Sequence, residues 1–494
     1  MRVFAPVPFR WTDGIDYPYG WFDIADDSKA RAMKAAGRVS DGVFDSPDDA
    51  ITPLVVTQDQ RTGLLYAGGV PVAVDLAPTL AQTARRTSVL KRFSDQVGVA
   101  YNNSGTAATV SIDAASPFGR PALKVALAAG TTWAEVQLSA LGLAAFDDHI
   151  VWRVWIEDYT AVQQIGVFAG TTGYGRYSQQ NYQISTSNVA RYNGEFAFSA
   201  GPVRQTAVGT FVHGVDTLND TKIRITGNAA AANVWVDAVV VPARGRGVVL
   251  LTYDDGFRSW ANIVAPDLAR NGLVASFGFQ QNLIGTNDTL YLNSADIRAL
   301  SAAGHEISPH QVSNTRFNDG TSGTQTAAQY QTDYRTSLAV LRGIVGAAAS
   351  CDYHPYVQGG HNQSLIDTLR AEGLRIARGV DNNAHNFHSA GLGRGIYSMK
   401  TAYMDSSGPD LATLITAVDN AEKYGTTAVF MGHDFGPNAP SASYWTASLH
   451  AQLIDYIGAK VRAGRLINTT MGQYAAAVYS AGLVERQFRL EQAA

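Results

Sequence analysis

Cysteine and charged residues are both scarce in this sequence of 494 residues. Cys351 is its single cysteine, which excludes a disulfide framework and a zinc site built from cysteines. Charged residues make up 16% of the chain, against about 25% in ordinary soluble domains, and the net charge is −4. A basic surface that holds phosphate backbones is therefore not expected, and nucleic acid is not a predicted partner.

Long apolar runs are missing as well. The sequence has no stretch of 18 or more apolar residues, and no apolar segment of a secretory signal follows Met1. We therefore predict no membrane partner, no signal peptide and a protein that stays in solution. Apolar residues still make up 46% of the chain, and its length suits about two to four domains.

The chain divides into regions that differ in the pattern of their apolar and turn residues. Residues 1–97 lack sustained periodicity, apart from a weak helical pattern at 77–97, and are interpreted as an attachment or docking region. Residues 98–245 contain short apolar runs split by turn residues, such as 151–156, 165–168 and 221–226, which predict a β-sandwich. The run 233–241 resembles the closing strand of jelly-roll carbohydrate-binding modules.

Tyrosines of the predicted sandwich are candidates for stacking on sugar rings, although core or loop packing explains most tyrosines. The four candidates are Tyr174, Tyr177, Tyr182 and Tyr192.

From residue 246 to 480, apolar runs alternate with helical patterns. Predicted strands include 248–253, 274–279, 374–377 and 427–431, and the alternation indicates parallel βα units closed, or nearly closed, into a (β/α) barrel. Residues 481–494 are left as a C-terminal tail. Eight of the ten histidines lie between His305 and His450, so this region is where metal or acid–base chemistry is expected.

Three strand ends carry candidate chemical groups, because barrel enzymes place catalytic groups at the carboxyl ends of their strands. Asp254 and Asp255 follow 248–253, His310 lies past His305, and His433 follows 427–431. Adjacent carboxylates suit a site in which one holds a cation and the other takes a proton from water. The alternatives are a helix cap for the aspartates and structural packing for the histidines, His305 above all.

Four motifs carry a family resemblance. Residues 252–256, Thr-Tyr-Asp-Asp-Gly, resemble the first motif of the polysaccharide deacetylases, carbohydrate esterase family four, whose catalytic domain is a distorted (β/α) barrel. Residues 304–310 resemble its histidine motif, 353–356 its third motif and 431–434 its last.

The resemblance implies metal-assisted hydrolysis of acetyl groups on an acetylated polysaccharide. It makes Asp254 the general base, Asp255 and His310 ligands of a divalent metal, and His433 the general acid. A backbone N–H near Tyr356 is implied as a donor to the oxyanion. Zinc is the first expectation for the metal, with cobalt or nickel as alternatives.

Two positions depart from the family pattern. Asn314 stands where a second histidine is usual, so either its amide oxygen is a weaker ligand or it binds nothing and the site is degenerate. Tyr353 stands where an arginine often holds the catalytic aspartate. Arg378 is a candidate replacement, and a surface arginine is the alternative. Asp381, His385 and His388 lie in a nearby loop without an assigned role.

Context suggests a phage tail or spike protein, made in a host cell and released by lysis to act on capsule or exopolysaccharide. The N-terminal region would then dock to other virion proteins, and spikes of this kind are commonly homotrimers. Cytoplasmic action on a soluble acetylated sugar is one alternative. The other is a sugar-binding spike that has lost catalysis.

Overall fold

The computed structural model describes residues 76–481 with short gaps, together with seven short strands before residue 73. The gaps are 105–107, 131–132, 185–192, 204–209, 321, 383–384, 387–392, 407 and 437–443. Most of the predicted docking region, the tail from 482 onward, Tyr192 and His388 therefore lie outside the described residues. The seven strands are Arg2–Ala5 (β1), Phe9–Arg10 (β2), Asp16–Tyr17 (β3), Gly20–Asp23 (β4), Val56–Gln58 (β5), Leu65–Ala67 (β6) and Val70–Val72 (β7).

The helical pattern at 77–97 forms a helix only in its first half. Helix α1 covers Ala77–Arg86, and strand β8 covers Ser88–Arg92. Thr87 between them turns to an extended ψ of 125°, and β8 then pairs with strand β18 of the following domain, which provides sheet hydrogen bonds in place of helical ones. The prediction of a helix up to residue 97 was therefore wrong.

Residues 88–241 form two antiparallel sheets. One has the order β10-β11-β18-β13-β16, with β8 also on β18, and the other has the order β15-β14-β17-β12-β9. Their strands are Val99–Ser104 (β9), Thr109–Asp113 (β10), Ala122–Leu127 (β11), Trp133–Leu138 (β12), Ile150–Ile156 (β13), Val162–Gly170 (β14), Tyr177–Gln183 (β15), Gly194–Ala200 (β16), Asp220–Gly227 (β17) and Ala232–Val241 (β18). From Trp152 to Ile156, buried and half-buried residues alternate along strand β13, as expected for a sheet with one face on a core.

One of the tyrosines proposed for sugar stacking faces this core. Tyr182 is buried, and its hydroxyl donates to the carbonyl of Ser199 at 2.9 Å. Its place on β15 puts it on the inner face, so the prediction that it contacts sugar was wrong. Tyr174 and Tyr177 are half-buried beside Phe168 and remain candidates.

Residues 247–480 form a barrel-like, mostly parallel sheet surrounded by helices. The order is β21-β20-β19-β26-β25-β23-β22, with β24 on β26 and β29 on β19. The strands are Gly247–Asp255 (β19), Ser276–Phe279 (β20), Glu306–Pro309 (β21), Tyr353–Pro355 (β22), Ile376–Asn382 (β23), His385–Asn386 (β24), Met399–Tyr403 (β25), Thr427–Gly432 (β26), Asp434–Phe435 (β27), Tyr444–Trp445 (β28) and Leu466–Thr469 (β29). Strand β27 pairs with β28 outside the main sheet.

The helices follow the apolar patterns of the sequence. They are Ala265–Asn271 (α2), Ser294–Ala302 (α3), Ala327–Val345 (α4), Gln363–Arg370 (α5), Leu411–Tyr424 (α6), Ala447–Arg462 (α7) and Met471–Ser480 (α8). Thr326 and Asn293 close capping boxes at the starts of α4 and α3, which satisfies backbone N–H groups that otherwise lack partners. None of the helices that the structure describes has the length and apolarity to cross a membrane.

Two histidines close the barrel between its edge strands β21 and β22. The Nδ1 atom of His310 lies 2.9 Å from the carbonyl oxygen of Pro355, and that of His354 lies 2.9 Å from the carbonyl oxygen of Pro309. A carbonyl only accepts, so both rings donate from Nδ1. Side-chain hydrogen bonds thus link the two edges, supported by one bridge between Ile307 and Ala349.

Candidate active site

The aspartate pair lies at the carboxyl end of the buried strand β19. Asp254 is buried, and Asp255 has a φ of 85°, which is a left-handed conformation that non-glycine residues seldom adopt. Backbone strain of this kind concentrates at functional sites. The next helical turn starts at Trp260 with Ser259 at its N-cap. The aspartates therefore do not cap a helix.

Asp254 forms a buried ion pair with Arg378. The guanidinium Nη2 of Arg378 contacts Oδ2 of Asp254, and its Nε donates to the hydroxyl of Thr252 at 3.0 Å. Burial is the largest single influence and raises the pKa of Asp254, but the charges of Arg378, His310 and His433 together outweigh it and hold the pKa below its ordinary value. The structure thus brings Arg378 to Asp254 rather than to the surface, and it keeps the carboxylate ionised.

The second oxygen of Asp254 lacks a hydrogen-bond partner although it is buried. Gly278 on β20 leaves the space beside it, because a Cβ on that residue would lie 2.7 Å from Cγ of Pro355 and 3.4 Å from Oδ1 of Asp254. Buried lone pairs without partners are uncommon in folded proteins. This oxygen is therefore available to a group that enters the site, such as water or substrate.

His310 turns its other ring nitrogen toward both aspartates. Its Nε2 lies 3.5 Å from Oδ1 of Asp255 and 3.8 Å from Oδ2 of Asp254. Because Nδ1 carries the proton donated to Pro355, Nε2 of the neutral ring presents a lone pair. Two ligands of one tetrahedral cation, with bonds of about 2.1 Å, lie about 3.4 Å apart. Asp255 and His310 therefore fit a shared divalent cation.

Asn314 does not join this pair in the structure. Its side chain is exposed, and its Oδ1 accepts a hydrogen bond from Nε2 of Gln358 at 3.3 Å. Within the described ranges, no group of three or more histidine, cysteine, aspartate or glutamate side chains has the arrangement of a metal site. Among the residues that the structure describes, a third protein ligand is therefore of another residue type.

Gln280, which the sequence reading did not single out, contacts the same carboxylate. It directly follows strand β20, its side chain is buried, and its amide Nε2 donates to Oδ1 of Asp255. Its position immediately after the predicted strand 274–279 was the available signal.

His433 follows strand β26, which pairs in parallel with β19. Its Nδ1 lies 3.7 Å from Oδ2 of Asp405, a buried residue just past β25 that sequence reasoning also missed. Burial lowers the pKa of His433, whereas the carboxylate of Asp405 raises it. The charges of Asp255 and Asp254 also raise it, and the resulting pKa is above its ordinary value.

The third motif contributes mainly to the framework. The backbone N–H of Tyr356 donates to the carbonyl of Arg378 at 3.2 Å, and its ring stacks on His361 at 4.5 Å. Burial lowers the pKa of His354 to about 3, and its Nε2 lies 2.9 Å from the hydroxyl of Tyr330. His305 is also buried, which lowers its pKa to about 4, in agreement with a packing role.

Comparison with known proteins identifies the class of domain. The family model of polysaccharide deacetylases matches residues 242–377. The match covers Asp254, Asp255 and His310 and extends from β19 to the start of β23. The matched family is the polysaccharide deacetylases, the one that the sequence motifs resemble, and the match extends over these residues rather than over the whole chain.

Solved structures of carbohydrate esterase family four are similar to less than half of the chain. They include an esterase from Streptomyces lividans in complex with acetate (18% identity, TM-score 0.32, 45% of this chain and 91% of that one). An acetyl xylan esterase from Clostridium thermocellum with a cobalt ion has 18% identity and a TM-score of 0.31 (45% and 87%). A pseudoenzyme from Bacillus anthracis has 10% identity and a TM-score of 0.32 (46% and 64%). No curated protein sequence matches the chain.

Proposed function

We propose that this protein is a metal-dependent deacetylase that removes N- or O-acetyl groups from a bacterial surface polysaccharide. The observation that supports this most directly is the meeting of Asp254, Asp255 and His310 at two strand ends, with Nε2 of His310 within 3.8 Å of both carboxylates. Acetate release from a panel of bacterial polysaccharides, measured with and without a chelator, tests it.

Asp255 and His310 would hold the cation, with zinc preferred and cobalt or nickel as alternatives. When bound, a divalent cation supplies Lewis-acid polarisation and lowers the pKa of a coordinated water from about 15.7 toward 7. Asp254 would accept the proton of the attacking water through Oδ1, which has no partner, because Arg378 contacts Oδ2. Because the pKa of Asp254 is lowered, its carboxylate stays ionised and can accept this proton.

His433 is proposed to protonate the departing sugar nitrogen or oxygen. About a quarter of its side chain is exposed, so it is accessible to substrate, and Asp405 stabilises its charged form. The oxyanion donor implied near Tyr356 is not the N–H of Tyr356 itself, because that group donates to the carbonyl of Arg378.

This role of His433 predicts a specific pH dependence. A group that must be protonated is lost as pH rises through its pKa, so kcat/KM should fall on the alkaline side, above the ordinary titration range of histidine. Replacing Asp405 with asparagine removes a charge that raises this pKa, and the alkaline limb should move to lower pH. Asp419→Asn, which alters a carboxylate paired with Lys460 in the helical layer, is the control and should not move it. An unchanged limb in Asp405→Asn would contradict the assignment.

The sandwich is proposed to bind the polysaccharide separately from catalysis. The outer face of its five-stranded sheet carries aromatic rings beside cations. The guanidinium of Arg224 lies 4.8 Å from the ring centre of Trp133, and the ammonium of Lys222 lies 4.8 Å from that of Phe168. Glu135 accepts from both cations. Phe168 is buried, whereas Trp133 is half-buried, so part of the Trp133 ring is available for stacking on a sugar. A protein that only binds through this face is the alternative function.

Removing Trp133 should separate binding from catalysis. We expect Trp133→Ala to weaken binding to the polysaccharide substrate by about tenfold, the worth of one good aromatic contact, while turnover of a small acetylated substrate stays unchanged. Trp155→Ala removes a half-buried tryptophan from the other sheet and serves as the control. Equal loss in both variants would show that the effect is on folding. Binding assays on immobilised polysaccharide provide the measurement.

We also propose that the chain acts as part of a phage tail or spike, released at lysis, with the N-terminal region docking to other virion proteins and with three copies assembled. The low charge and high glycine content support a spike-like protein. The molar mass from light scattering tests the trimer.

A further inference from the structure

We propose that Gln280 supplies the third protein ligand of the metal site, in place of the histidine that Asn314 replaces. This inference rests on the proposed metal site and adds a specific residue to it. It places the ligand directly after strand β20, which lies between β19 and β21, the strands that position the other two ligands.

The side chains of Gln280 and His310 both lie close to Oδ1 of Asp255, and the three residues come from three neighbouring strand ends. Oδ1 of Asp255 contacts the amide of Gln280 and lies 3.5 Å from Nε2 of His310. The register pairs Asp255 with Phe279, and Phe279 with Pro309, so Gln280 and His310 are the next residues on their strands. Gln280 and His310 are therefore level with each other and one residue beyond Asp255 at the barrel mouth.

The chemistry of the amide allows it to change role. The oxygen and nitrogen of a glutamine side chain exchange places by rotation about the last bond, and an amide oxygen ligates divalent cations. Without a cation, Nε2 donates to the carboxylate. With one, the rotated group presents Oε1 to the point where Asp255 and His310 converge. Asn314 is exposed and bonded to Gln358, so it does not compete.

The test replaces Gln280 with histidine in the full chain and counts imidazoles on bound zinc by X-ray absorption. The wild type should show one imidazole. Gln280→His should show two and bind zinc at least about tenfold more tightly in competition with a chromogenic chelator, because imidazole is a better zinc ligand than an amide. Asn314→His is the matched control and should still show one.

Each contrary result has a distinct meaning. One imidazole and unchanged affinity in Gln280→His would overturn the inference, leaving Gln280 as a donor that only positions Asp255. Two imidazoles in Asn314→His would overturn it in favour of Asn314. A wild-type chain that takes up no zinc, cobalt or nickel would overturn the proposed function itself.

A second variant covers a failure of Gln280→His to fold. Gln280→Leu removes the amide and keeps a similar size. If Gln280 is a ligand, the visible absorption bands of the cobalt-loaded protein should shift in position and intensity, because the coordination sphere has changed. Unchanged bands would overturn the inference.

Discussion

Replacing Asp254 with asparagine should lower acetate release by about 10² to 10⁴-fold, which is the usual worth of a positioned general base. Asparagine has no oxygen that accepts the proton of the attacking water, although it fits the same space. Metal content should remain, because Asp254 is not a proposed ligand. Asp255→Asn, by contrast, should lose metal and activity together. Elemental analysis and acetate release distinguish the two aspartates.

Folding must be controlled in this experiment, because Asp254→Asn leaves the buried guanidinium of Arg378 without its carboxylate. The double variant Asp254→Asn with Arg378→Met removes both charges and should fold more stably than Asp254→Asn alone. It should remain inactive. Activity near the wild-type level in either variant that lacks Asp254 would exclude this residue as the base.

Replacing Arg378 with methionine should lower the free energy of unfolding of the barrel domain by about 3 to 5 kcal/mol, because it leaves a buried carboxylate unpaired. Arg378 is fully buried, and its Nε–H and Nη1–H groups also donate to Thr252 and Gly379. Urea titration followed by tryptophan fluorescence measures the loss. Arg370→Met, on the partly exposed surface of α5, is the control and should change stability little.

The pH dependence of this loss has a definite sign. In the wild type the pKa of Asp254 is lowered, so its contribution to stability is present above its unfolded value and is lost as pH falls through the folded one. Without Arg378, the largest influence that lowers the pKa of Asp254 is gone, and burial raises this pKa against the smaller effects of His310 and His433. Acidification then neutralises the unpaired carboxylate, so the deficit of Arg378→Met should shrink as pH falls. A deficit that is constant with pH would mean that packing rather than charge causes it.

The sequence alone determined the main chemical groups and the class of fold. Asp254, Asp255 and His433 each follow an apolar run long enough for a buried strand, His310 lies in a short motif past His305, and parallel strands present their carboxyl ends at one mouth. Short sequence patterns and the order of the motifs along the chain were therefore enough to identify these residues as candidates. The family motifs rest on the same short segments.

The tertiary structure decided which side chains act together. The contact of Arg378 with Asp254, of Asp405 with His433 and of Gln280 with Asp255 joins residues on different strands, and a one-dimensional pattern does not specify how separate strands are positioned. The same holds for the histidine bonds that close the barrel. Tyr182 shows the converse, since a tyrosine suits either face of a strand until packing against the opposite sheet determines which face is buried. The local sequence specifies whether a segment is a strand or a helix, through the spacing of its apolar residues. Which side chains meet across the fold depends on the register of the strands and on how the whole sheet closes.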